Sequence, residues 1–295
     1  MGEKFDIQKH ITFRKKRINQ ATISNPLLPG LAVVEINPTE LCNRTCSFCP
    51  RSNPKVYPNL NLNMPVAVAE RLSNQLKDAN YDGDIHITGF GEPTLNKNIL
   101  EIVKVFSRHF YTTITTNGDN IMSGKLKLQD IVEAKLSYLT VDCYDGDEHY
   151  IKIVNKLKEL DNSKVGYRVR DHYDDGSSTL FDDYNFNNRG GILGEVKSIN
   201  RPCYFPMYKA MVDWNGDLLL CCNDWSRKQL GLGSVNKKTF PELWNSIYYN
   251  SIRKTLLKGD RKALPACAGC NVDGCMAGEQ SANLYKEKYE LNNSI

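Results

Sequence analysis

The sequence predicts an α/β fold, an open partial barrel of six βα units with parallel strands, followed by a small C-terminal domain. Strand-like and helix-like segments alternate from Leu31 onward, and such alternation produces a parallel sheet with right-handed crossovers. The units repeat at roughly 30 residues, so about six fit before Ile199. A closed eight-unit barrel typically needs about 250 residues, nearly the whole chain, so the open form is favoured.

Each element follows from its local pattern. Apolar or β-branched runs predict strands at residues 31–36, 84–88, 111–116, 138–142 and 165–170. Helices are expected at residues 66–76, 97–107, 126–134 and 148–160, the first with Pro65 suited to its first turn. Two apolar runs around Asn215-Gly216 predict a β-hairpin, and an amphipathic helix is expected from Phe240 to about Lys258.

These elements divide the chain into four parts. We expect a turn-rich lead-in at residues 1–30, the partial barrel at 31–199, the small domain at 200–276 and a tail at 277–295. In open parallel sheets, ligands bind at the carboxyl ends of the strands, so we expect the site there.

Composition narrows the function. The chain has 295 residues and a net charge of +4 with acids and bases interspersed, so no nucleic-acid partner is expected. No apolar run approaches the ~20 residues that span a bilayer, and no signal peptide opens the sequence, so we expect a cytoplasmic protein without a membrane contact. Ten cysteines in a reducing compartment indicate metal binding rather than disulfides.

Three cysteines stand on the loop that follows the first strand. Cys42, Cys46 and Cys49 have a C-x3-C-x2-C spacing. Three thiolates can hold three corners of a cubic iron–sulfur cluster and leave the fourth iron open to another ligand. A structural zinc site usually takes two pairs of ligands, and a disulfide set would not be odd in number, so both alternatives fit less well.

This spacing resembles that of the radical S-adenosylmethionine (SAM) enzymes. The resemblance implies a [4Fe-4S] cluster on the three cysteines, with SAM bound to its fourth iron, and an aromatic residue, here Phe48, against the SAM adenine. Gly89-Phe90-Gly91-Glu92 looks like the family's Gly-Gly-Glu motif, with Phe90 in place of its second glycine. It implies that Gly89, Gly91 and Glu92 bind the ammonium group of SAM.

Other strand ends carry further SAM candidates. Thr115-Thr116-Asn117-Gly118 resembles the family's Thr-Asn-Gly turn, so Thr116 or Asn117 is expected to face SAM, although Asn-Gly is also a routine turn pair. Thr140 and Asp142 share one face of a strand, and Asp142 is the candidate for the SAM ribose. Arg168 could bind the SAM carboxylate or form an ordinary ion pair.

A second cysteine set follows the barrel. Its C-x12-G-x4-C spacing and later C-x2-C pair resemble the SPASM/twitch extension of the same family. The resemblance implies one auxiliary [4Fe-4S] cluster, and zinc remains an alternative. The four expected ligands are Cys203, Cys221, Cys267 and Cys270.

The resemblance also suggests the reaction. The segment around Arg189 resembles one in the family's dehydrogenases of aminocyclitol alcohols, where the arginine lies near the alcohol. A guanidinium is rarely neutral, so Arg189 is expected to orient or polarise a hydroxyl group. We therefore expect hydrogen abstraction from a carbinol carbon and oxidation to a ketone, on a sugar, an aminocyclitol or a similar polar metabolite. The electron donor is expected to be a flavodoxin or ferredoxin, by analogy.

Three other functions remain open. An epimerase would use a spare thiol, Cys143, Cys222 or Cys275, as hydrogen-atom donor, although most such cysteines are inert and packed. A peptide maturase would need a separate leader-binding protein. An electron-transfer protein would need two closed clusters, which the triplet does not offer. Substrate specificity is expected in the loop at residues 171–186.

Overall fold

The structure is a computed structural model that describes residues 7–18, 24–172, 188–194 and 199–290. Most of the loop expected to set specificity, from residue 173 onward, lies outside the described residues. In the described part of the chain, none of the helices is long and apolar enough to cross a membrane.

Seven strands form one sheet in the order β5-β4-β3-β2-β1-β6-β7. β1 to β6 pair in parallel and β7 pairs antiparallel to β6, which confirms the predicted α/β fold with parallel strands and the hairpin around Asn215-Gly216. The strands are β1 Val33–Ile36, β2 Asp84–Ile87, β3 Tyr111–Thr116, β4 Tyr138–Cys143, β5 Gly166–Asp171, β6 Lys209–Val212 and β7 Leu218–Leu219.

The sixth parallel strand lies further along the chain than the repeat predicts. Five strands occupy the described residues between 31 and 199, and the sixth, β6, is the first arm of the hairpin. It pairs with β1 in the register Val33↔Lys209 to Ile36↔Val212, on the edge of β1 opposite β2. The sheet therefore crosses the predicted boundary at residue 200, and the domain limits themselves remain predictions.

Ten α-helices are described. All four helices expected between the strands are present, whereas the helix at 7–18 and the helix at 279–288 fall in segments expected to be a lead-in and a tail. The helices are α1 Ile7–Ile18, α2 Val66–Asp78, α3 Ile99–Ser107, α4 Asp119–Met122, α5 Leu128–Glu133, α6 Asp147–Leu157, α7 Phe205–Tyr208, α8 Phe240–Trp244, α9 Ile247–Leu257 and α10 Glu279–Lys288.

The expected single helix at 240–258 is wrong, because it is two helices. Thr239 and Glu242 form a capping box at the start of α8. Ser246 then caps α9, accepting a hydrogen bond from the Tyr249 backbone N–H at 3.2 Å. A serine side chain that satisfies the first turn of a new helix favours an interruption at that position.

The two faces of the sheet differ in polarity because side chains alternate along each strand. The outer face packs its apolar residues into the main core with the helices. The inner face is polar and includes Glu35, Asp84 and Arg168. Helix α1 reaches this face at the amino ends of the strands, where Arg17 forms an ion pair with Asp84.

Arg253 of α9 joins the C-terminal helices to the chain before β6. Its guanidinium lies 4.0 Å from the Trp244 ring, 4.1 Å from the Tyr249 ring and 4.6 Å from the Tyr285 ring. It donates hydrogen bonds to the carbonyls of Pro206 (2.8 Å) and Trp244 (2.7 Å). The side chain is fully buried, so these contacts depend on it alone.

We expect Arg253→Met to lower the free energy of unfolding by about 2–4 kcal/mol, because two buried carbonyls lose their donors. Urea titration of the two proteins measures the change. Lys254→Met, at the exposed neighbouring position, is the control and should change stability by less than about 0.5 kcal/mol. Equal stability of the Arg253 variant and the wild type would contradict this role.

Candidate active site

The first cysteine set lies on the loop that leaves β1. Cys42, Cys46 and Cys49 are free and partly exposed. Burial raises the pKa of Cys46 to about 11, and the neighbouring Cys49 and Cys42 contribute to that rise. The three thiols are therefore close enough to repel one another as thiolates, and a bound group of positive irons would offset that repulsion.

Polar contacts fix this loop to the strand ends. The Asn59 side chain accepts from the Cys42 backbone N–H and donates to its carbonyl, both at 2.9 Å. Arg44 forms ion pairs with Asp119 after β3 and with Asp145 after β4, each at 2.6 Å. The cysteines are thus held at the carboxyl ends of the parallel strands, where the fold predicts the site.

Gly89 and Gly91 allow the segment after β2 to pack against the start of the cysteine loop. A Cβ at Gly89, which has φ +116°, would lie 2.3 Å from Asn37 Oδ1, and one at Gly91 would lie 2.3 Å from the Thr39 carbonyl oxygen. The Glu92 N–H also donates to the Leu41 carbonyl at 2.7 Å. The glycines thus have a packing reason, and their contact with SAM remains a prediction.

Glu92, Thr116 and Asn117 meet at the ends of β2 and β3. The buried Glu92 carboxylate accepts from the Thr116 hydroxyl (2.6 Å), the Asn117 N–H (2.8 Å) and the N–H and hydroxyl of Thr94 (3.0 and 2.7 Å). Burial raises the pKa of Glu92, although these donors lower it. The three predicted residues form one connected unit in which Glu92 orients the Thr116-Asn117 turn.

Asp142 lies on β4 and Arg168 on the neighbouring strand β5, both on the inner face of the sheet. Asp142 accepts from Arg170 Nη2 at 2.6 Å and from the Tyr144 hydroxyl at 3.2 Å. Burial alone would raise the pKa of Asp142, but Arg170 and His172 outweigh it and hold the pKa well below its usual range. Arg168 Nε donates to the Thr140 hydroxyl at 3.1 Å.

An aromatic pair lies beside these groups. The Phe48 ring is 5.6 Å from the Tyr144 ring, and Tyr144 stacks on His172 at 5.2 Å. Phe48 thus stands next to the strand ends that carry the ribose candidate. Its contact with the SAM adenine remains a prediction.

The second cysteine set lies together. Burial raises the pKa of Cys203 to about 12 and also raises the pKa values of Cys221, Cys267 and Cys270. The adjacent Cys222 and then Cys267, Cys270 and Cys203 raise the pKa of Cys221 further, so the four predicted ligands lie near one another, with Cys222 beside them. Buried thiols of this kind suit a bound cluster, because iron stabilises the thiolate form.

Arg189 sits on a turn that is fastened to the second cysteine set. Its φ of +50° and that of Gly190, +69°, are left-handed. The Asn188 side chain donates to the Gly269 carbonyl at 2.6 Å, and the Gly190 N–H donates to the Cys270 thiol. The structure therefore places Arg189 beside the second set. Among the described residues, Arg189 does not line the small polar cavity on the inner face of the sheet.

The three spare thiols occupy different places. Cys143 is buried on the outer face, 3.7 Å from His149 Nδ1. Cys275 donates to the Pro202 carbonyl at 3.1 Å, beside Cys203. Only Cys222, among these three, packs toward the centre of the molecule.

A central apolar cluster connects the two cysteine sets. It consists of Tyr57, Phe90, Met211, Leu219 and Trp225. Cys49 of the first set, Cys222 next to the second set and Ile192 next to the Arg189 turn all pack against it. Phe90 lies 4.7 Å from Trp225, ring to ring, which explains why a phenylalanine replaces the second glycine of the motif.

Arg227 connects the loop of the first cysteine set to the β6–β7 hairpin through two buried carboxylates. Glu40 lies two residues before Cys42, and Asp213 lies in the turn of the β6–β7 hairpin. Arg227 forms ion pairs with Glu40 and, at 2.6 Å, with Asp213. Asn37 donates to both carboxylates at 2.7 Å, and Tyr57 donates to Glu40 at 2.6 Å. These contacts set the position of one cysteine set relative to the other.

A polar cavity of about 130 Å³ opens on the inner face of the sheet. A larger cleft of about 790 Å³ lies between residues 56–62 and 213–237 and shares Tyr57, Leu219 and Trp225 with the central apolar cluster. The smaller, polar cavity has the hydroxyl, charged and imidazole groups that can hydrogen-bond to a polar substrate. Its lining includes Glu35, His86, Thr88, Thr113, Thr115, Thr140 and Arg168.

Sequence reasoning missed Glu35, Lys209 and Arg227. Glu35 and Lys209 form a buried ion pair across β1 and β6. A charged residue inside an otherwise apolar strand was the available signal, because such residues are almost never buried without a partner. Arg227 had no local signal, because its partners lie 14 and 187 positions away.

The chain matches models of two protein families. The model of the radical SAM superfamily matches residues 36–173, and that of SPASM, an iron–sulfur cluster-binding domain, matches residues 203–271. The matches cover both cysteine sets.

Relatives resemble the chain over different lengths. The S-adenosyl-L-methionine-dependent 2-deoxy-scyllo-inosamine dehydrogenase of Niallia circulans is 28% identical over 256 residues, which cover 84% of this chain and 96% of that protein. The GTP 3′,8-cyclase of Paracoccus denitrificans (strain Pd 1222) is 23% identical over 160 residues, 51% of this chain and 46% of that protein.

Solved structures resemble the fold. The crystal structure of BtrN in complex with AdoMet and 2-DOIA gives a TM-score of 0.69 at 28% identity, covering 85% of this chain and 96% of that chain. The open conformation of SeMet BtrN gives 0.59 at 24% identity, covering 82% and 92%, and supports the fold alone.

We expect Arg227→Met to lower the free energy of unfolding by about 3–5 kcal/mol, because two buried carboxylates lose their shared cation. Anaerobic urea titration of the reconstituted protein measures the loss. Lys228→Met, at the exposed neighbouring position, is the control. A difference between the Arg227 variant and wild type below about 0.5 kcal/mol would contradict the joining role of Arg227.

The second cysteine set predicts an iron count. Alanine at Cys203, Cys221, Cys267 or Cys270 should lower the iron content of the reconstituted protein from about eight to about four atoms per chain. Cys222→Ala and Cys275→Ala are matched controls and should keep about eight. One zinc atom per chain in place of the second four irons would instead support the zinc alternative.

Proposed function

Because the chain is a radical SAM enzyme that carries a SPASM domain, we propose that it oxidises a carbinol carbon of a small polyol to a ketone. An aminocyclitol or a sugar is the substrate class. The observation that carries the proposal is the similarity to the 2-deoxy-scyllo-inosamine dehydrogenase over 96% of that protein's length.

The two cysteine sets divide the redox work. When bound, SAM and the cluster on the first set supply a 5′-deoxyadenosyl radical, and the cluster on the second set accepts an electron from the substrate. Cys42, Cys46 and Cys49 hold the first cluster. Cys203, Cys221, Cys267 and Cys270 hold the second.

The protein's own residues bind the substrate and orient its hydroxyl groups. Threonine hydroxyls and the Arg168 guanidinium in the polar cavity match the hydroxyl groups of a polyol, and the central apolar cluster excludes water. Arg189 donates through its guanidinium and so orients a hydroxyl group near the second cysteine set. The hydrogen bond from its neighbour Asn188 to Gly269 supports this place.

The SAM site is proposed at the strand ends. Phe48 contacts the adenine of SAM. Asp142 accepts hydrogen bonds from the ribose hydroxyl groups while it also accepts from Arg170. Gly89, Gly91 and Glu92, with Thr116 and Asn117, bind the methionine part of SAM. The mutual hydrogen bonds of Glu92, Thr116 and Asn117 support a preformed site. Arg168 is the candidate for the SAM carboxylate as well as for the substrate.

The position of Cys222 favours a second candidate, epimerisation. Its thiol lies against the central apolar cluster, and the Lys209 ammonium is 3.6 Å away. A thiol there can return a hydrogen atom to the substrate carbon, and that hydrogen exchanges with solvent. Deuterium from heavy water at the substrate carbon would support epimerisation, whereas a ketone without it supports oxidation.

The physiological setting follows from the same chemistry. We propose a flavodoxin or a ferredoxin as electron donor, because the first cluster must be reduced before each radical forms. We place the protein in the cytoplasm, since free thiols in this number persist in a reducing compartment.

Turnover with labelled substrate tests the oxidation. Reconstituted enzyme, SAM and dithionite are incubated anaerobically with 2-deoxy-scyllo-inosamine that carries deuterium at the carbinol carbon. We expect one ketone per 5′-deoxyadenosine, with the deuterium in the 5′-deoxyadenosine. No ketone from this compound or from a panel of cyclitols and sugars would overturn the proposal.

Arg189→Ala should abolish ketone formation while SAM is still cleaved slowly, because the hydroxyl group loses its orienting cation. Arg189→Lys keeps the charge without the fork geometry and should retain part of the activity. Mass spectrometry of ketone and 5′-deoxyadenosine measures both products. Full activity of the alanine variant would remove Arg189 from the mechanism.

A further inference from the structure

A buried ion pair on the inner face has no part in the roles described so far. Glu35 of β1 is 6% exposed and Lys209 of β6 is 3% exposed. Lys209 Nζ lies 2.6 Å from Glu35 Oε1. Burying two charges costs several kcal/mol per ion, and apolar residues in their place are often as stable or more stable. Stability therefore gives no reason for charged residues in two otherwise apolar strands.

The pair lies between the polar cavity and the second cysteine set. Glu35 lines the cavity next to its register partner His86. On the other side, Lys209 Nζ reaches Cys222 Sγ at 3.6 Å, and Cys222 adjoins the cluster ligand Cys221. A proton acceptor and an electron acceptor are thus close to the same substrate volume.

We propose that Glu35, held in place by Lys209, accepts the proton that the substrate hydroxyl loses during oxidation. This inference rests on the proposed function. Removal of the carbinol hydrogen atom leaves a hydroxyl-bearing carbon radical, which becomes the ketone by releasing one proton and one electron. The O–H bond breaks and the second bond between carbon and oxygen forms. The proton goes to the Glu35 carboxylate and the electron to the iron–sulfur group on the second cysteine set.

Other groups near the cavity suit this task less well. Arg189 carries its proton permanently and cannot accept another. Asp84 is bound by Arg17 at the amino ends of the strands, and Asp142 is bound by Arg170. His86 Nε2 lies 3.7 Å from Asp84 Oδ2, so the imidazole is directed toward that carboxylate. Glu35 alone among the described cavity carboxylates has its cation on β6, toward the second cysteine set.

Lys209 has a positioning role in this scheme. Its ammonium, 2.6 Å from Glu35 Oε1, holds the carboxylate in place on the wall of the polar cavity. Lys209 comes from the strand that leads into the hairpin before Cys221. The docking of β6 on β1 therefore creates the pair, and this is the register Val33↔Lys209.

The test compares E35Q with the double variant E35Q/K209M. Glutamine keeps the shape and hydrogen bonding of Glu35 but accepts no proton. With 2-deoxy-scyllo-inosamine deuterated at the carbinol carbon, E35Q should still transfer deuterium to 5′-deoxyadenosine. Its yield of ketone per 5′-deoxyadenosine should fall by about 100-fold, the usual contribution of a general base. E35D should restore part of the yield.

The double variant separates a proton acceptor from a structural pair. It removes both buried charges, so a merely structural role would be repaired and the ketone yield would return. A proton acceptor cannot be repaired in this way, so we expect the yield to stay low. Return of the ketone yield in E35Q/K209M, or an unchanged yield in E35Q, would overturn the inference.

Binding measured without turnover provides an independent readout. In the presence of SAM and without reductant, calorimetric titration with the same compound should give a Kd for E35Q within about threefold of wild type, since the amide keeps the hydrogen bond. A loss of binding in E35Q would make Glu35 a binding residue and overturn the inference. If the wild type makes ketone and the ketone yield of E35Q is unchanged, only this inference is rejected. If the wild type makes no ketone from any polyol, the proposed function is rejected and this inference with it.

Discussion

Arg227 is the contact on which the arrangement of the site depends. It binds Glu40, which precedes the first cysteine set, and Asp213, which lies in the hairpin that leads to the second. Both carboxylates are buried, so each needs a cation. Arg227 serves both, and Glu40 is also paired with the buried Arg51 at 3.2 Å. Cys49 of the first set and Cys222, which adjoins Cys221 of the second, are therefore held against one apolar cluster. Electron transfer between a substrate and a second cluster requires such a fixed arrangement.

The inner face of the sheet explains how one fold combines dry and polar chemistry. Every second residue of a strand is apolar and packs the outer face of the sheet against the helices. The residues between them are mostly polar, point to the inner face and are concentrated in one cavity. Phe90 and Trp225 pack ring to ring in the central apolar cluster, together with Met211 and Leu219 of the hairpin. Hydroxyl groups of a substrate therefore find polar partners next to an apolar surface.

Much of the fold could be predicted because its signals are local. The hairpin at Asn215-Gly216 and the first cysteine set each lie within a short stretch, and each βα unit takes only about 30 residues. The second cysteine set, spread from Cys203 to Cys270, was recognised by its spacing. Features that depend on distant contacts could not be predicted. The amphipathic pattern of α8 and α9 hides the cap at Ser246, and nothing near β6 shows that it pairs with β1. Helix α10 is held by Tyr285 donating to the Pro29 carbonyl, 256 positions earlier. For the proposed SAM site, the resemblance supplied the candidate residues, whose contacts with SAM remain predictions, and the packing reason for Gly89 and Gly91 required the structure.

A single-turnover experiment followed by electron paramagnetic resonance tests the central claim, that both cysteine sets serve one substrate, most directly. Enzyme whose first cluster alone has been reduced is mixed with SAM and substrate, and frozen after one turnover. The account predicts one ketone per 5′-deoxyadenosine together with one spin from a reduced cluster that is lost in the Cys221→Ala variant. 5′-Deoxyadenosine without such a spin, and with solvent hydrogen at the substrate carbon, would contradict it.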